Sequence, residues 1–224
     1  MISRNLNILL LFAALALFPF ESFAKKPENL HTAKQAVILY HDSGEYDVDQ
    51  EEVAQQAISY LANRINKNLK LPEPKKLAIV FDIDETSLSN YKILLSLDFA
   101  YHSHVLLTEL EQADDPAINP TLELYQFAKE KEVAIFFITG RPEKLRLDTE
   151  ENLKRVGYTE WNKLFLKPDD YKEKSVIPYK SGARKSIEAQ GYHIVVNIGD
   201  QWSDLAGGFS ERVFKIPNPY YYVP

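Results

Sequence analysis

The chain of 224 residues has no cysteine, no run of basic residues and no apolar stretch longer than eleven residues. Each absence excludes something. Without cysteine there is no disulfide framework and no thiolate site for zinc, so stability rests on the core or on bound ions. No cysteine is available near the N-terminus to carry a lipid either. A net charge of −6 without a basic run argues against nucleic-acid or anionic-membrane binding. The longest apolar run, Ile8 to Phe18, is short of the roughly 20 residues needed to cross a bilayer. Arg4 precedes it, Pro19 and Glu21 end it, and Ser22-Phe23-Ala24 has the small-x-small form of a cleavage site. Residues 1–24 therefore read as a signal peptide cut after Ala24, with a periplasmic or secreted product free of the membrane. Residues 25–224 suit one domain with a sizeable core, and no repeat, low-complexity segment or linker divides them.

What is present has two rhythms. Helical patterns come first, Leu30 to Tyr40 and Asp49 to Asn66, together spanning about 30–66. In the second, Val53, Ala57, Ile58, Leu61 and Ile65 share a face. Beyond the prolines of "LPEPKK", short apolar runs alternate with amphipathic segments, the pattern of βαβ units around a parallel sheet. Strands are expected at Leu77–Ile83, Val133–Thr139, Lys163–Leu166, Ile194–Ile198 and Val213–Ile216. Helices are expected at Thr121–Lys131, Pro142–Val156 and Ser181–Gln190, with a short turn at Trp202–Ala206. The fold class is α/β, Rossmann-like, with three layers and helices on both faces. Residues 87–120 fit this scheme least. "QADDPAINP" reads as loop, and an insertion after the first strand lies over the carboxyl edge of the sheet as a lid or rim.

Three of the strands end in chemistry. "LAIVFDIDET" ends in Asp82 and Asp84, "VAIFFITGR" in Thr139, Gly140 and Arg141, and "HIVVNIGDQWSD" in Asp200 and Asp204. A fourth element, "VIPYKSGARK", puts Lys180 at the start of a helix. Ligands of open α/β sheets bind at the carboxyl ends of the strands, so these clusters should meet in one crevice. Carboxylates crowded together resist ionising unless a positive charge sits among them. Asp82, Asp200 and Asp204 with carbonyl and water oxygens suit a hard divalent cation, Mg²⁺ above all. None of the five histidines has a metal-ligand spacing beside this cluster, which disfavours zinc. A cation, a lysine, a threonine hydroxyl and the amides near Gly140 make a site for a phosphoryl group. Taken singly, Thr139 also suits a helix cap, Asp204 a helix N-terminal acid, and Arg141 either substrate phosphate or a structural acid.

"DIDET", "ITGR", Lys180 and "GDQWSD" resemble, in order, the four motifs of the haloacid dehalogenase (HAD) superfamily. The nearest branch is its acid phosphatases of subfamily IIIB, similar to class B and C bacterial enzymes and plant vegetative storage proteins. The resemblance covers about Leu77 to Ile216 and is strongest over "YKSGARKSIEAQGYHIVVNIGDQWSDLAG". It implies an exported, Mg²⁺-dependent acid phosphatase acting on phosphate monoesters, nucleotide or aryl phosphates among them. Asp82 is then the nucleophile that forms an aspartyl-phosphate, and Asp84 the general acid and a backbone-carbonyl metal ligand. Thr139, Gly140, Arg141 and Lys180 are the phosphoryl- and substrate-binding groups. Asp82, Asp84, Asp200 and Asp204 are the metal-site residues. A catalytically silent storage or binding relative is the alternative, which the presence of Asp82 disfavours. A phosphorylated receiver is disfavoured by the acid two residues after the nucleophile and by the signal peptide.

Overall fold

Five strands carry the fold: β1 (Lys76–Phe81), β2 (Ala134–Pro142), β3 (Lys163–Lys167), β4 (Tyr192–Gly199) and β5 (Arg212–Lys215). They form one sheet in the order β3-β2-β1-β4-β5, every neighbouring pair parallel. This computed structural model describes residues 27–100 and 102–224; the predicted leader, 1–24, and Tyr101 lie outside the described residues. Helices are α1 (Leu30–Asp42), α2 (Glu45–Asn68), α3 (Tyr91–Ser96), α4 (Ser103–Leu110), α5 (Asn119–Glu130), α6 (Arg146–Arg155), α7 (Ile177–Ala189) and the single turn α8 (Trp202–Leu205).

The near-continuous apolar sequence of β1 is that of a strand covered on both faces. Leu77, Ile79 and Phe81 enter a large core with Ala57 and Leu61 of α2, Leu124 and Tyr125 of α5, and Leu153 of α6. The alternate residues Ala78 and Val80 pack on the other face against Ala183 and Ile187 of α7. Each large apolar side chain so buried stabilises the fold by about 1.5–3 kcal/mol. On α2 the buried residues Tyr46, Gln50, Ala54, Ala57 and Leu61 recur every three or four positions, one stripe of an amphipathic helix.

The three-layer α/β expectation holds, with shifts at the ends of elements. Helix α2 begins at Glu45, four residues before Asp49, because Gly44 supplies the left-handed turn (φ 82°) that separates it from α1. Helix α7 opens at Ile177 rather than Ser181, since Pro178 is tolerated in a first turn. Lys180 is therefore one turn in from the helix start. Strand β2 runs on through Pro142, and after a short 3-10 turn at Glu143–Leu145 helix α6 starts only at Arg146. The stretch expected as loop holds α3 and α4. Its two ends are joined: Ser89 N–H donates to Pro116 O at 2.9 Å, and Ile118 N–H to Ser87 O at 3.0 Å. The insertion thus rises from a closed neck beside the end of β1.

From β1 the chain winds outward through β2 and β3, then returns to the other side of β1 with β4. The switch point between β1 and β4 opens a crevice at their carboxyl ends, where such sheets bind ligands. No helix among the described residues is long and apolar enough to cross a membrane.

Candidate active site

The last ladder bond of β1 sets the first carboxylate. Asp82 N–H donates to Ile198 O of β4 at 3.0 Å, which fixes the backbone at the strand end. Directly afterwards the chain folds into a tight loop. The N–H groups of Thr86, Ser87 and Leu88 all point to Ile83 O, and Ser87 Oγ donates to Asp82 O at 2.7 Å. Asp82 is thereby held in place, 5 % exposed, at the floor of the crevice.

Lys180, buried on α7, crosses under the sheet edge to meet it. Its Nζ donates to Asp82 Oδ1 at 2.5 Å and to Asp204 Oδ1 at 2.6 Å. Burial would pull the ammonium down, but Asp204 and Asp82 more than offset this and hold it charged. Asp204 reaches the site by folding back on the end of β4: its Oδ2 accepts Gln201 N–H at 2.8 Å. This is possible because residue 199 is glycine, since a Cβ there would lie 2.6 Å from Asp204 Cβ. One helical turn beyond Lys180, the fully buried Arg184 donates to the carbonyls of Asp204, Ala206 and Gly208 and clamps the same loop.

Asp200, 1 % exposed, is held from three sides. Thr86 Oγ1 donates to its Oδ1 at 3.2 Å; Gln201 Nε2 and Asn218 Nδ2 donate to its Oδ2 at 2.7 and 2.6 Å. Gln201 also accepts Val223 N–H through Oε1 at 3.1 Å, so the C-terminal strand of chain is strapped to the site.

Oxygens of Asp82, Asp200 and Asp204 all lie within 4.8 Å of one another. Burial and the neighbouring Asp204 push Asp82 well above the usual carboxylate range, with Lys180 only partly opposing them. The same two causes bring Asp200 up to about 6, against the hydrogen bonds from Asn218 and Gln201. Lys180 is the one ammonium bonded within this trio, to Asp82 and Asp204, and with all three carboxylates ionised they would outnumber it by two negative charges. Two oxygens on one Mg²⁺-sized ion at roughly 2.1 Å lie at most about 4.2 Å apart. The trio, within 4.8 Å, exceeds that spacing by no more than about 0.6 Å, and its donors are all hard oxygens. The residues fit a divalent cation.

Asp84 stands apart from the trio. Arg141 Nε and Asn90 Nδ2 each donate to its Oδ1 at 2.9 Å, and Thr139 Oγ1 to its Oδ2 at 3.4 Å. Burial would raise its carboxyl, but the Arg141 guanidinium and these bonds bring it below the ordinary value. Arg141 also donates from Nη2 to Asp115 at 3.1 Å. Burial lifts Asp115 to about 6, Arg141 drawing it down and Asp84 adding to the rise. Of the two readings of Arg141, the structure shows the pairing with acids. Thr139 is fully buried and also accepts Arg141 N–H at 3.0 Å; it does not cap a helix, because β2 continues past it. Gly140 has nothing within 4 Å of where a Cβ would sit and presents its backbone to the cavity.

That cavity, about 690 Å³, is lined by Asp82, Asp84, Gly140, Arg141, Lys180, Asp200 and Asp204 together with the insertion and the C-terminal segment. All the residues expected from the strand ends line it except Thr139, which lies behind Asp84. Tyr91 stacks on His41 with ring centres 3.4 Å apart, and Trp202 is 61 % exposed, at the surface rather than in the core. Sequence reasoning missed Arg184, Asn218, Asp115 and Glu85. Glu85, fully buried behind Asp84 with φ 53°, accepts Tyr46 Oη–H at 3.1 Å and Asn90 N–H at 2.5 Å. Only Arg184 carried a signal, its four-residue spacing from Lys180 on a helix.

The family model described as HAD superfamily, subfamily IIIB (acid phosphatase), matches residues 22–224. Acid phosphatase 1 of Solanum lycopersicum is 35 % identical over 187 residues, 80 % of this chain and 69 % of the relative. Vegetative storage protein 1 of Arabidopsis thaliana is 38 % identical over 186 residues, 81 % of this chain and 67 % of the relative. Among solved structures, the class C acid phosphatase from Bacillus anthracis superposes with a TM-score of 0.66 over 86 % of each chain at 22 % identity. That likeness is one of fold.

Proposed function

The chain belongs to the acid phosphatases of HAD subfamily IIIB, and on that premise we propose that it is an exported phosphomonoesterase working through Asp82. The observation that carries this reading is the buried Asp82–Lys180–Asp204 chain, with Asp200 beside it and Asp84 at the same cavity.

In the first half-reaction an Asp82 carboxylate oxygen attacks phosphorus while the bond to the leaving alcohol oxygen breaks. Asp84, ionised at rest beside Arg141, must first take a proton from solvent or from a substrate monoanion. It gives that proton to the leaving oxygen and then takes one from the water that attacks the resulting aspartyl-phosphate. The second step releases inorganic phosphate and restores Asp82. Lys180 neutralises negative charge where a carboxylate and a phosphate dianion must approach, a demand that otherwise forbids the reaction. The Gly140 backbone lines the cavity beside Asp84. The Thr139 hydroxyl, buried off the cavity wall, donates to Asp84 at 3.4 Å and helps to hold that carboxylate in place. Arg141 serves by orienting Asp84. Asp82, Asp200 and Asp204, with the Asp84 carbonyl, would hold Mg²⁺, whose charge would offset the carboxylates as a phosphate approaches. The signal-peptide reading of residues 1–24 supports a periplasmic or secreted product.

The test is hydrolysis of a chromogenic aryl phosphate by residues 25–224 from pH 4.5 to 8, with Mg²⁺, with excess EDTA, and with Asp82→Asn. Turnover lost in both controls is expected. Folded, Mg²⁺-loaded protein that turns over neither this substrate nor a nucleotide panel would move the assignment to a storage or binding role, as the Arabidopsis relative's name suggests for that protein.

A further inference from the structure

We propose that the cavity selects phosphate monoesters whose alcohol is a flexible aliphatic chain, an inference that rests on the phosphomonoesterase reading above. The reacting carboxylate and an aliphatic wall belong to one space. Asp82 and Lys180 line the same cavity, about 690 Å³, as Leu94 of the first insertion helix, Leu97 at that helix's C-terminal cap, and Leu106, Leu107 and Leu110 of the second helix. Leu94 and Leu97 are spaced i,i+3, and Leu107 and Leu110 likewise, so each helix turns one apolar edge to the cavity. Leu94, Leu97, Leu106 and Leu107 are only partly buried. A volume in the range of drug-sized sites leaves ample room beyond a phosphoryl group.

A nucleoside or a second phosphate asks for free donors and open ring faces. The charged donors here are engaged, and the unstacked tyrosine rings, Tyr221 and the exposed Tyr222, lie on the C-terminal segment rather than on the leucine-bearing insertion. Arg141 is bonded to Asp84 and Asp115, Lys180 to Asp82 and Asp204, and Gln201 to Asp200 and the C-terminal segment. Three buried lining atoms lack a partner: Arg141 Nη1 and Asn90 Oδ1, on residues bound to Asp84 at the carboxylate end of the cavity, and Tyr220 Oη, on a ring only 8 % exposed. Among the described lining residues Lys167 is the one further lysine or arginine. The Phe99 and Tyr220 rings lie nearly parallel, 11° apart with centres at 6.0 Å, and so pack on each other. An alkyl chain needs none of these groups and gains from covering the leucines.

The experiment uses two series of straight-chain compounds from methyl to decyl, below their micelle concentrations and with Mg²⁺ present. Monoalkyl phosphates report hydrolysis as released phosphate. Alkylphosphonates, which have no ester bond to cleave, report binding by calorimetry. Both kcat/KM and phosphonate affinity should rise about two- to fourfold per methylene until the chain outruns the cavity. Leu97→Gln with Leu106→Gln should flatten both slopes. Phosphonate affinity independent of chain length, or adenosine monophosphate bound more tightly than octylphosphonate, overturns the inference even with hydrolysis intact. Rising affinity without hydrolysis of any phosphate keeps the aliphatic site and sinks the hydrolase reading instead.

Discussion

The two edges of the sheet handle carboxylates in opposite ways. At the amino edge Glu211, just ahead of β5, is surrounded by donors: Arg64 Nη2 at 2.9 Å, Tyr60 Oη at 2.5 Å and His193 Nε2 at 2.9 Å. At the carboxyl edge Asp82 and Asp204 share one lysine, with Asp200 close beside them. The first group is complete as it stands and ties α2 to the sheet. The second is complete only when something positive joins it. A buried cluster with unbalanced like charge raises its own carboxyl pKa values and gives up stability, and proteins hold such strain where they act on a ligand.

That contrast is open to being broken. The largest expected effect is at Asp82. Asp82→Asn should reduce phosphatase turnover at least about a thousandfold, yet in EDTA it should leave chemical-denaturation stability unchanged or raise it by about 1 kcal/mol, because a like charge is removed. Wild type should gain about 2.7 kcal/mol from Mg²⁺ at a hundredfold excess over its Kd, and the variant less. A variant that is clearly less stable without metal would put Asp82 in the same class as Glu211. Next comes Gly199→Ala. Its Cβ would fall 2.6 Å from Asp204 Cβ, and the overcrowding should cost about 2 kcal/mol in the same denaturation assay. Asp204 would have to leave Lys180, so activity should fall as well; an unaffected enzyme would show that Asp204 is dispensable.

The carboxyl edge was legible in sequence because strand ends and chemistry coincide there. Asp82, Asp84, Asp200, Asp204 and Lys180 follow apolar runs or sit on an amphipathic helix, and parallel topology brings such ends together. The strands β1, β2 and β4 were readable for the same reason, each being built on an apolar run. Helices α3 and α4 were not, since six and eight residues give too few turns to set a period. The supporting partners were hidden by distance along the chain. Asp115 meets Arg141 across 26 residues, and Asn218 meets Asp200 across 18, from a C-terminal segment with no regular pattern. Whether Arg141 faced substrate or an acid depended on Asp115, which lies in a stretch that reads only as loop.

Asn218 is the means of sharpening the comparison at the functional edge. It touches only one member of the trio, donating to Asp200 Oδ2 at 2.6 Å. Partners that orient metal ligands typically matter ten- to a hundredfold in metal affinity. Asn218→Ala should therefore weaken Mg²⁺ binding about tenfold by calorimetry while the fold melts within a few degrees of wild type. Unchanged affinity would leave Gln201 and Thr86 as sufficient to hold Asp200.

The smallest effect belongs to the amino edge, and it is where pH separates the two. Burial pushes the Glu211 carboxyl up, but the hydrogen bonds from Arg64, Tyr60 and His193 outweigh it and bring the group down to about 2 from an ordinary 4.5. A carboxyl lowered by folding stabilises the native state fully above its unfolded value, and the contribution drains away as pH falls from about 4.5 toward 2. Glu211 is more than a quarter exposed, so solvent screening cuts its worth to about 1 kcal/mol. Wild type and Glu211→Gln should then differ by that amount in urea denaturation at pH 7 and pH 5, and by progressively less at pH 4 and pH 3. A gap that stays constant to pH 3 would mean that Glu211 acts through packing rather than charge, and the amino edge would no longer be the charged counterpart of the site.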